Sequence, residues 1–316
     1  MSFKPTCSTI RKSIVRKILS ILLPAALLLT ACSGGADSGS DSLDDITVKA
    51  GAEGAAPAVD FSAPLELPES NAEVITEGKG DGAADGQWIR YRLLAKDAVT
   101  GEQLGETYSG PVDQTVELSE GFKSADPALY NALLGANPGS EIAYYVQPPE
   151  SSSSSAPAQN PQLLFLTVQD VRDKAVKADA AEVAELDKAG KLPEITLDKK
   201  GVPSVKIPEG NDAPDNLIVK VIDEGDGKQA TETSTVKANY AGWNWSEGTE
   251  FDSSYSRGEA TEFPLDGVIE GWTKGLTGLK EGAKVMLSIP TEMAYVQGQG
   301  DAVGDLIFYV ELTDVK

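Results

Sequence analysis

The chain has 316 residues, 41% of them hydrophobic and 24% charged, which is enough for about two packed domains. Its formal net charge of −22 opposes binding to phosphate backbones, so we expect no nucleic-acid partner. It contains no histidine, which excludes serine–histidine and cysteine–histidine nucleophile pairs and any histidine-ligated zinc.

The first predicted element is a leader. Residues 1–17 hold five cations and no acidic residue, and an apolar run of 14 residues follows from Ile18 to Ala31. This run is too short to span a membrane, and Pro24 interrupts it. A basic stretch followed by a short apolar stretch is typical of a secretory signal, whereas a buried helix would not have all its cations before the run. We therefore expect a signal peptide over residues 1–31.

The leader ends at a cysteine. The sequence Leu29-Thr30-Ala31-Cys32 resembles a bacterial lipobox. The resemblance implies cleavage before Cys32 after a diacylglycerol is attached to its thiol, so we expect a protein outside the cytoplasm that is lipid-anchored to the cell membrane. Two or more acyl chains, such as palmitate, would make this anchoring stable. A free secreted form is the alternative. Residues 32–64 are rich in Gly, Ala, Ser and Asp and predict a flexible tether.

Residues 65–172 form the first predicted domain. Apolar residues alternate with polar residues in four stretches, as in strands that bury one face. The stretches are 88–93, 114–118, 142–146 and 163–168. Five consecutive serines at 151–155, with prolines on both sides, predict a low-complexity loop.

Residues 173–200 predict a helical linker, because residues 173–190 are rich in Ala, Lys and Glu and end at Gly190, a suitable C-cap. The second predicted domain covers residues 201–316, where the alternating pattern resumes. Its predicted elements are strands at 216–221, 233–240, 284–289 and 305–312 and a short helix at 268–275.

The two halves repeat each other weakly and in the same order. Segments 73–78, 129–150 and 163–171 of the first half parallel segments 220–225, 271–292 and 306–315 of the second. This repetition predicts duplication of a domain of about 100 residues. We expect an α+β fold in which each domain is a curved antiparallel sheet of about five strands wrapped on a short helix.

An ordered series of short motifs runs through the second half. It consists of Tyr240-Ala241-Gly242, Phe251-Asp252-Ser253-Ser254, Val268-Ile269-Glu270-Gly271-Trp272 and the closing run LIFYVEL at 306–312. The series resembles the FKBP-type peptidyl-prolyl cis–trans isomerases, which makes residues 201–316 the isomerase domain. The resemblance implies an enzyme that rotates X-Pro bonds in exported polypeptides without a metal or cofactor. It also makes macrolides candidate ligands.

The resemblance implies a role for each matching residue. Trp272 is expected to form the floor of a pocket beneath the proline ring. The expected walls are Tyr240, Phe251, Val268, Ile269 and Phe308. The Ile269 backbone N–H and the Tyr295 hydroxyl would bond substrate carbonyls, and Asp252 would orient the twisting carbonyl or the tyrosine beside it. The residues expected to act in catalysis are Asp252, Tyr295, Trp272 and Phe251. Arg257 is expected to be a structural partner of Asp252, and any single aromatic residue could instead be ordinary core.

A pocket of low polarity suits this reaction. Rotation about the peptide bond has a barrier of about 18–20 kcal/mol because the planar amide is stabilised by resonance. The twisted transition state loses that resonance and its charge separation, so an apolar site favours it over the planar amide. No proton moves, and the absence of histidine is therefore compatible with catalysis.

Departures from the family pattern suggest a second hypothesis. Thr261 stands at a wall position that is normally aromatic, two residues are missing between Leu265 and Val268, and Val296 replaces the usual glycine before a short loop. These features would weaken the pocket and favour a chaperone-like or binding lipoprotein.

The first domain lacks most of the matching residues. Thr107-Tyr108-Ser109, or residues in a near register, are expected opposite Phe251-Asp252, and Tyr130 opposite Trp272. Without a matching aspartate, the first domain is expected to be degenerate and to serve as a spacer or client-binding module.

Overall fold

A computed structural model describes residues 42–52, 54–110, 114–148, 159–296 and 298–316. Two six-stranded antiparallel sheets, accompanied by a few short helices, dominate these ranges. The predicted signal peptide, Cys32 and the serine run at 151–155 lie outside them. No helix in the described part of the chain is long and apolar enough to cross a membrane.

The described part of the chain begins with a hairpin where a flexible tether was expected. Strands β1 (Thr47–Lys49) and β2 (Ala58–Asp60) pair antiparallel. Leu43 and Val59 are buried beside residues of the first sheet. The prediction of a tether over 32–64 is therefore wrong for residues 43–60, because these sparse apolar side chains cover an apolar sheet face.

The first sheet has the strand order β3-β7-β8-β4-β5, and β6 also pairs with β4. Its strands are β3 (Asn71–Thr76), β4 (Trp88–Asp97), β5 (Gln103–Glu106), β6 (Gln114–Glu117), β7 (Glu141–Val146) and β8 (Gln162–Arg172). Two helices, α1 (Glu120–Ala125) and α2 (Pro127–Leu133), replace the single one expected. The break lies at Asp126, which ends α1 and caps α2 by accepting from Leu129 N–H at 3.0 Å.

The linker is only partly helical. Helix α3 covers Ala180–Lys188 rather than 173–190, because Lys177 is extended and pairs with Leu217, and Asp179 then caps the helix. The helix ends before Gly190, as predicted. A hairpin of β9 (Glu194–Leu197) and β10 (Pro203–Lys206) follows, so the predicted domain boundary at 200–201 falls inside that hairpin.

The second sheet has the order β11-β15-β16-β12-β13, and β14 also pairs with β12. Its strands are β11 (Ile218–Asp223), β12 (Thr235–Asn244), β13 (Glu250–Ser253), β14 (Thr261–Pro264), β15 (Lys284–Ile289) and β16 (Leu306–Val315). Helix α4 (Ser254–Arg257) follows β13, and α5 (Glu270–Leu276) precedes β15. Single 3-10 turns lie at Leu265–Gly267 and Thr291–Met293.

The two sheets share one strand order, as the internal repetition predicted. Each sheet has six strands rather than about five, because one ten-residue strand pairs with two short strands along the same edge. In the first sheet β4 pairs with β5 and β6, and in the second β12 pairs with β13 and β14. Both faces of each sheet are covered. In the first sheet, α2 covers one face and the β1–β2 hairpin covers the other. In the second sheet, α5 covers one face and the segment from α3 to β10 covers the other.

Candidate active site

A cavity of about 460 Å³ opens between the second sheet and α5. All eight residues predicted for the site line it, namely Tyr240, Phe251, Asp252, Val268, Ile269, Trp272, Tyr295 and Phe308. Gly267, Phe263 and Gln299 complete the lining. The structure thus brings the predicted residues together, and their roles in binding and catalysis stay predictions.

Aromatic rings form the floor and much of the wall. Trp272 is 4% exposed and lies 5.5 Å from Tyr240, 5.0 Å from Phe263 and 5.3 Å from Phe308, measured between ring centroids. Phe251 extends the series at 5.5 Å from Phe308. All these pairs meet edge to face, the geometry that aromatic quadrupoles favour. The rings therefore form one interlocked, low-polarity wall.

The register of three strands sets the positions of Phe308 and Asp252. Phe308 on β16 lies opposite Gly242 on β12, and Gly242 lies opposite Asp252 on β13. A Cβ at position 242 would come within 2.6 Å of the Phe251 ring and 2.7 Å of the Phe308 ring. Glycine therefore lets both phenylalanines lie over the strand, which explains the Tyr-x-Gly pattern.

Helix α5 holds Trp272 close to the sheet. A Cβ on Gly271 would come within 2.3 Å of the Ile289 side chain, so glycine permits this approach. Ile269 precedes the helix as its N-cap residue, and its side chain makes no capping hydrogen bond. No acceptor among the described residues contacts the Ile269 backbone N–H. This donor is thus available at the edge of the cavity.

The polar part of the site is a three-residue arrangement. The Tyr240 hydroxyl donates to Asp252, and Arg257 donates to the same carboxylate and, at 2.7 Å, to the Tyr240 oxygen. Burial acts to raise the pKa of Asp252, but the bonds from Tyr240 and Arg257 outweigh it and leave that pKa below its ordinary value. Burial and the bond to Asp252 raise the pKa of Tyr240 to about 12. Arg257 contacts Asp252 as the sequence predicted.

Tyr295 approaches the cavity on the segment between β15 and β16. Its side chain is partly buried against the core of the second sheet. Burial, and then the charge of Asp252, raise the pKa of its hydroxyl. That hydroxyl forms no hydrogen bond with any described residue. Tyr295 is therefore a protonated donor beside an apolar cavity.

Besides Gly267 and Gln299 in the lining, the sequence prediction missed Phe263 and the buried Ser254. Phe263 lines the cavity, whereas Thr261, which was expected to leave a thin and polar wall, does not. Phe263 lies two residues further along β14, on the same face, and fills the side expected to be open. Ser254 is fully buried, and its hydroxyl accepts from Tyr240 N–H at 2.8 Å, which joins the start of α4 to β12.

The first sheet does not reproduce the aromatic wall. Counted by register, Leu93 and Leu164 occupy the places of Tyr240 and Phe308, since Leu93 pairs with Leu166 and Ala95 with Leu164. Leu104 and Gly105 occupy the places of Phe251 and Asp252. Of the registers expected there, Thr107-Tyr108-Ser109 is not the one found, because those residues follow β5, and the near register at Leu104 and Gly105 is. Tyr130 is buried on α2, with its hydroxyl bonded to Asp85.

The geometry of the cavity indicates what kind of ligand it can bind. An aromatic cavity of this size with one ion-paired carboxylate at its edge suits a small apolar ring rather than proton-transfer chemistry. In the described ranges no group of three or more His, Cys, Asp or Glu side chains is arranged to hold a metal.

Comparison with known proteins assigns the family. The family model of FKBP-type peptidyl-prolyl cis-trans isomerases matches residues 226–313. The probable FK506-binding protein of Corynebacterium glutamicum is 38% identical over 113 residues, which are 35% of this chain and 95% of that protein. The chain belongs to the FKBP-type peptidyl-prolyl cis-trans isomerase family.

Other relatives match over part of their length. The isomerase FkpA of Escherichia coli K12 is 46% identical over 105 residues, covering 32% of this chain and 38% of FkpA. The match thus spans well under half of that relative. The crystal structure of FkpA from Escherichia coli aligns with 43% of this chain and 58% of its own, at 37% identity and a TM-score of 0.32.

Proposed function

We propose that the protein catalyses cis–trans isomerisation of X-Pro bonds in exported, proline-containing polypeptides and so assists their folding. The observation that carries this proposal is the interlocked aromatic wall around the 460 Å³ cavity. Prolyl isomerisation is slow enough to limit folding, so a catalyst outside the cytoplasm would have clients among newly exported chains.

The substrate proline would lie on Trp272, between Tyr240, Phe263 and Phe308. These side chains offer little polarity to the charge-separated planar amide, so the twisted amide is relatively favoured. The free Ile269 N–H and the Tyr295 hydroxyl would hold the flanking carbonyls, which fixes the peptide while the bond turns. Asp252 would act mainly by fixing the hydroxyl of Tyr240.

The location is part of the proposal. The basic-then-apolar leader and the lipobox-like residues before Cys32 favour a lipid anchor on that cysteine, which would hold the protein at the outer side of the cell membrane. Macrolides are further candidate ligands of the aromatic cavity, because they also present apolar rings.

The first sheet is proposed to belong to a degenerate FKBP-like domain. Its strand order, identical to that of the second sheet, supports a common origin. Leucines at the wall positions and Gly105 at the aspartate position argue against catalysis there. A spacer or client-binding role fits these replacements.

A protease-free prolyl isomerisation assay on the full-length protein tests the proposal. We expect catalysis in the wild type and a loss of at least about tenfold in kcat/KM for Trp272→Ala, which removes the floor. The matched control is Leu276→Ala on the same helix. Leu276 is fully buried but does not line the cavity, so its loss should destabilise the fold without a specific effect on activity.

Two results would contradict the proposal. One is a wild-type protein that melts cooperatively yet does not accelerate isomerisation. The other is equal activity of Trp272→Ala and Leu276→Ala at temperatures where both are folded. Suppression of client aggregation without isomerisation would support the chaperone-like alternative instead.

A further inference from the structure

Six charged side chains meet between the two sheets. They are Arg90, Asp170 and Arg172 from the first sheet and Asp215, Glu292 and Asp305 from the second half, and we term them the intersheet charge cluster. Arg90 Nη1 lies 3.7 Å from Asp305 Oδ2, with the two side chains 17% and 10% exposed. Arg172 Nη1 lies 2.8 Å from Asp215 Oδ1, at the exposed edge of the cluster. The Arg90–Asp305 pair is therefore the part of the cluster that is shielded from water.

Asp305 also closes the segment that carries Tyr295. This Tyr295 segment consists of residues 290–296 and 298–305, between β15 and β16. The second carboxylate oxygen of Asp305, Oδ1, accepts from the Thr291 backbone N–H at 2.9 Å and from its hydroxyl at 2.8 Å. One side chain thus joins the two ends of the segment while its other oxygen faces Arg90. Tyr295 and Gln299, both on this segment, line the cavity.

The two arginines balance carboxylates that would otherwise repel each other. Glu292 is largely buried, and its Oε1 accepts no hydrogen bond from any described residue. Burial, together with the charge of Asp305, raises the pKa of Glu292 above its ordinary value, although the charges of Arg172 and Arg90 act in the opposite direction. If one arginine were lost, Asp305 and Glu292 would remain buried with less compensation, and breaking a buried pair costs more than the pair contributes.

We propose that Arg90 is a positioning residue for the candidate active site: through Asp305 it holds the Tyr295 segment against the cavity, so that the first sheet sets the substrate affinity of the second. This inference rests on the proposed isomerase function only for its effect on substrate. Arg90 is not among the residues that line the cavity, and it acts through the Asp305–Thr291 closure. It gives the first sheet a task even without a working pocket of its own.

The test uses the full-length protein and three variants of strand β4. Arg90→Gln removes the charge, Arg90→Lys keeps it, and Lys96→Gln is the matched control. Lys96 lies on the same strand, but its ammonium donates to the Val59 carbonyl within the first sheet's own covering hairpin. The readouts are amide hydrogen exchange of residues 291–304 and the separate values of KM and kcat for a prolyl peptide.

We expect faster exchange in Arg90→Gln, a rise in KM of about five- to tenfold, and a change in kcat below about twofold. In Arg90→Lys, which keeps the charge, exchange and KM should stay close to their wild-type values. Lys96→Gln should change neither. Asp305→Asn removes the charge of the other member of the Arg90–Asp305 pair. Adding Arg90→Gln to it should change exchange and KM much less than in the wild type, because the two residues act together.

Unchanged exchange of residues 291–304 in folded Arg90→Gln would overturn the proposal, as would faster exchange with an unchanged KM. Additive effects of Arg90→Gln and Asp305→Asn would also overturn it. If the wild type shows no isomerase activity, the proposed function fails, and the exchange comparison still decides whether Arg90 holds the segment.

Discussion

The guanidinium of Arg257 donates a 2.7 Å hydrogen bond to the hydroxyl of Tyr240, and it lies 5.4 Å from the centre of the same ring. The hydroxyl itself donates a hydrogen bond to Asp252, which Arg257 also contacts. The ring of Tyr240 is thus fixed in the cavity wall by the same two residues that balance each other's charge. Within the described residues, Asp252 thus bonds to Tyr240 and Arg257 and not to Trp272 on the floor.

The charge of Asp252 is expected to matter for activity. Asp252→Asn keeps the size of the side chain but weakens the bond from Tyr240 and leaves Arg257 without its counter-ion. Since hydrogen bonds to charged groups are the stronger ones, we expect kcat/KM to fall about tenfold in the isomerisation assay. Glu250→Gln, a change on the same strand outside the cavity lining, is the control. Equal activities of the two variants would show that the charge has no role.

The dependence of activity on pH follows from the same residues. The folded-state pKa of Asp252 lies below its ordinary value, so acidification protonates the unfolded chain first. The contribution of this group to stability is present above the ordinary pKa of about 4 and is lost as pH falls through the lower folded value. Since the pKa of Tyr240 is about 12, its hydroxyl keeps its proton at high pH.

We therefore expect kcat/KM to be flat between about pH 5 and pH 9 and to fall only below about pH 4. The acid limb should be absent in Asp252→Asn, which has no carboxylate to protonate. A pH–rate profile on a peptide without titrating groups provides the measurement. A decline centred near neutral pH in the wild type would contradict this account, because it would require a titrating group that the described site lacks.

The sequence motifs predicted the site because the side chains that line it lie within the motifs themselves. The aromatic residues, the aspartate and Trp272 occur in one order, and all eight predicted residues line one cavity. Phe263 escaped prediction because its position depends on how β14 pairs with β12, where Phe263 lies opposite Val236. The residue pattern within one short strand does not determine how that strand pairs with its neighbour. The pairing of Arg90 with Asp305, residues far apart in the chain, was equally invisible.

Gly242 is expected to be needed for the shape of the cavity. In Gly242→Ala the new Cβ would overlap the rings of Phe251 and Phe308, both of which would have to move. We expect a loss of about 1–3 kcal/mol in the free energy of unfolding and a loss of kcat/KM larger than that of stability-matched variants. Gly105→Ala is the control, since a Cβ there meets nothing within 4 Å. Wild-type affinity for a prolyl peptide in Gly242→Ala would contradict this view of the wall.

The composition of residues 32–64 misled the prediction of a tether for a physical reason. Gly, Ala, Ser and Asp dominate the segment, and its few apolar residues are too sparse to show a period. Their burial depends on the outer face of the first sheet, which is assembled from strands distant in sequence. Leu43 has no exposed surface, and it packs in one cluster with Leu65 and Phe165.

Leu43→Ala should therefore destabilise the first sheet. Loss of a fully buried leucine costs about 2–5 kcal/mol, because the cavity it leaves is only partly refilled. Val74→Ala is the control, since Val74 on β3 is 39% exposed and should change stability by less than about 0.5 kcal/mol. Urea unfolding followed by circular dichroism gives both values. If residues 43–60 were a tether, Leu43→Ala would unfold at the same urea concentration as Val74→Ala, whereas the buried hairpin predicts a clearly lower midpoint.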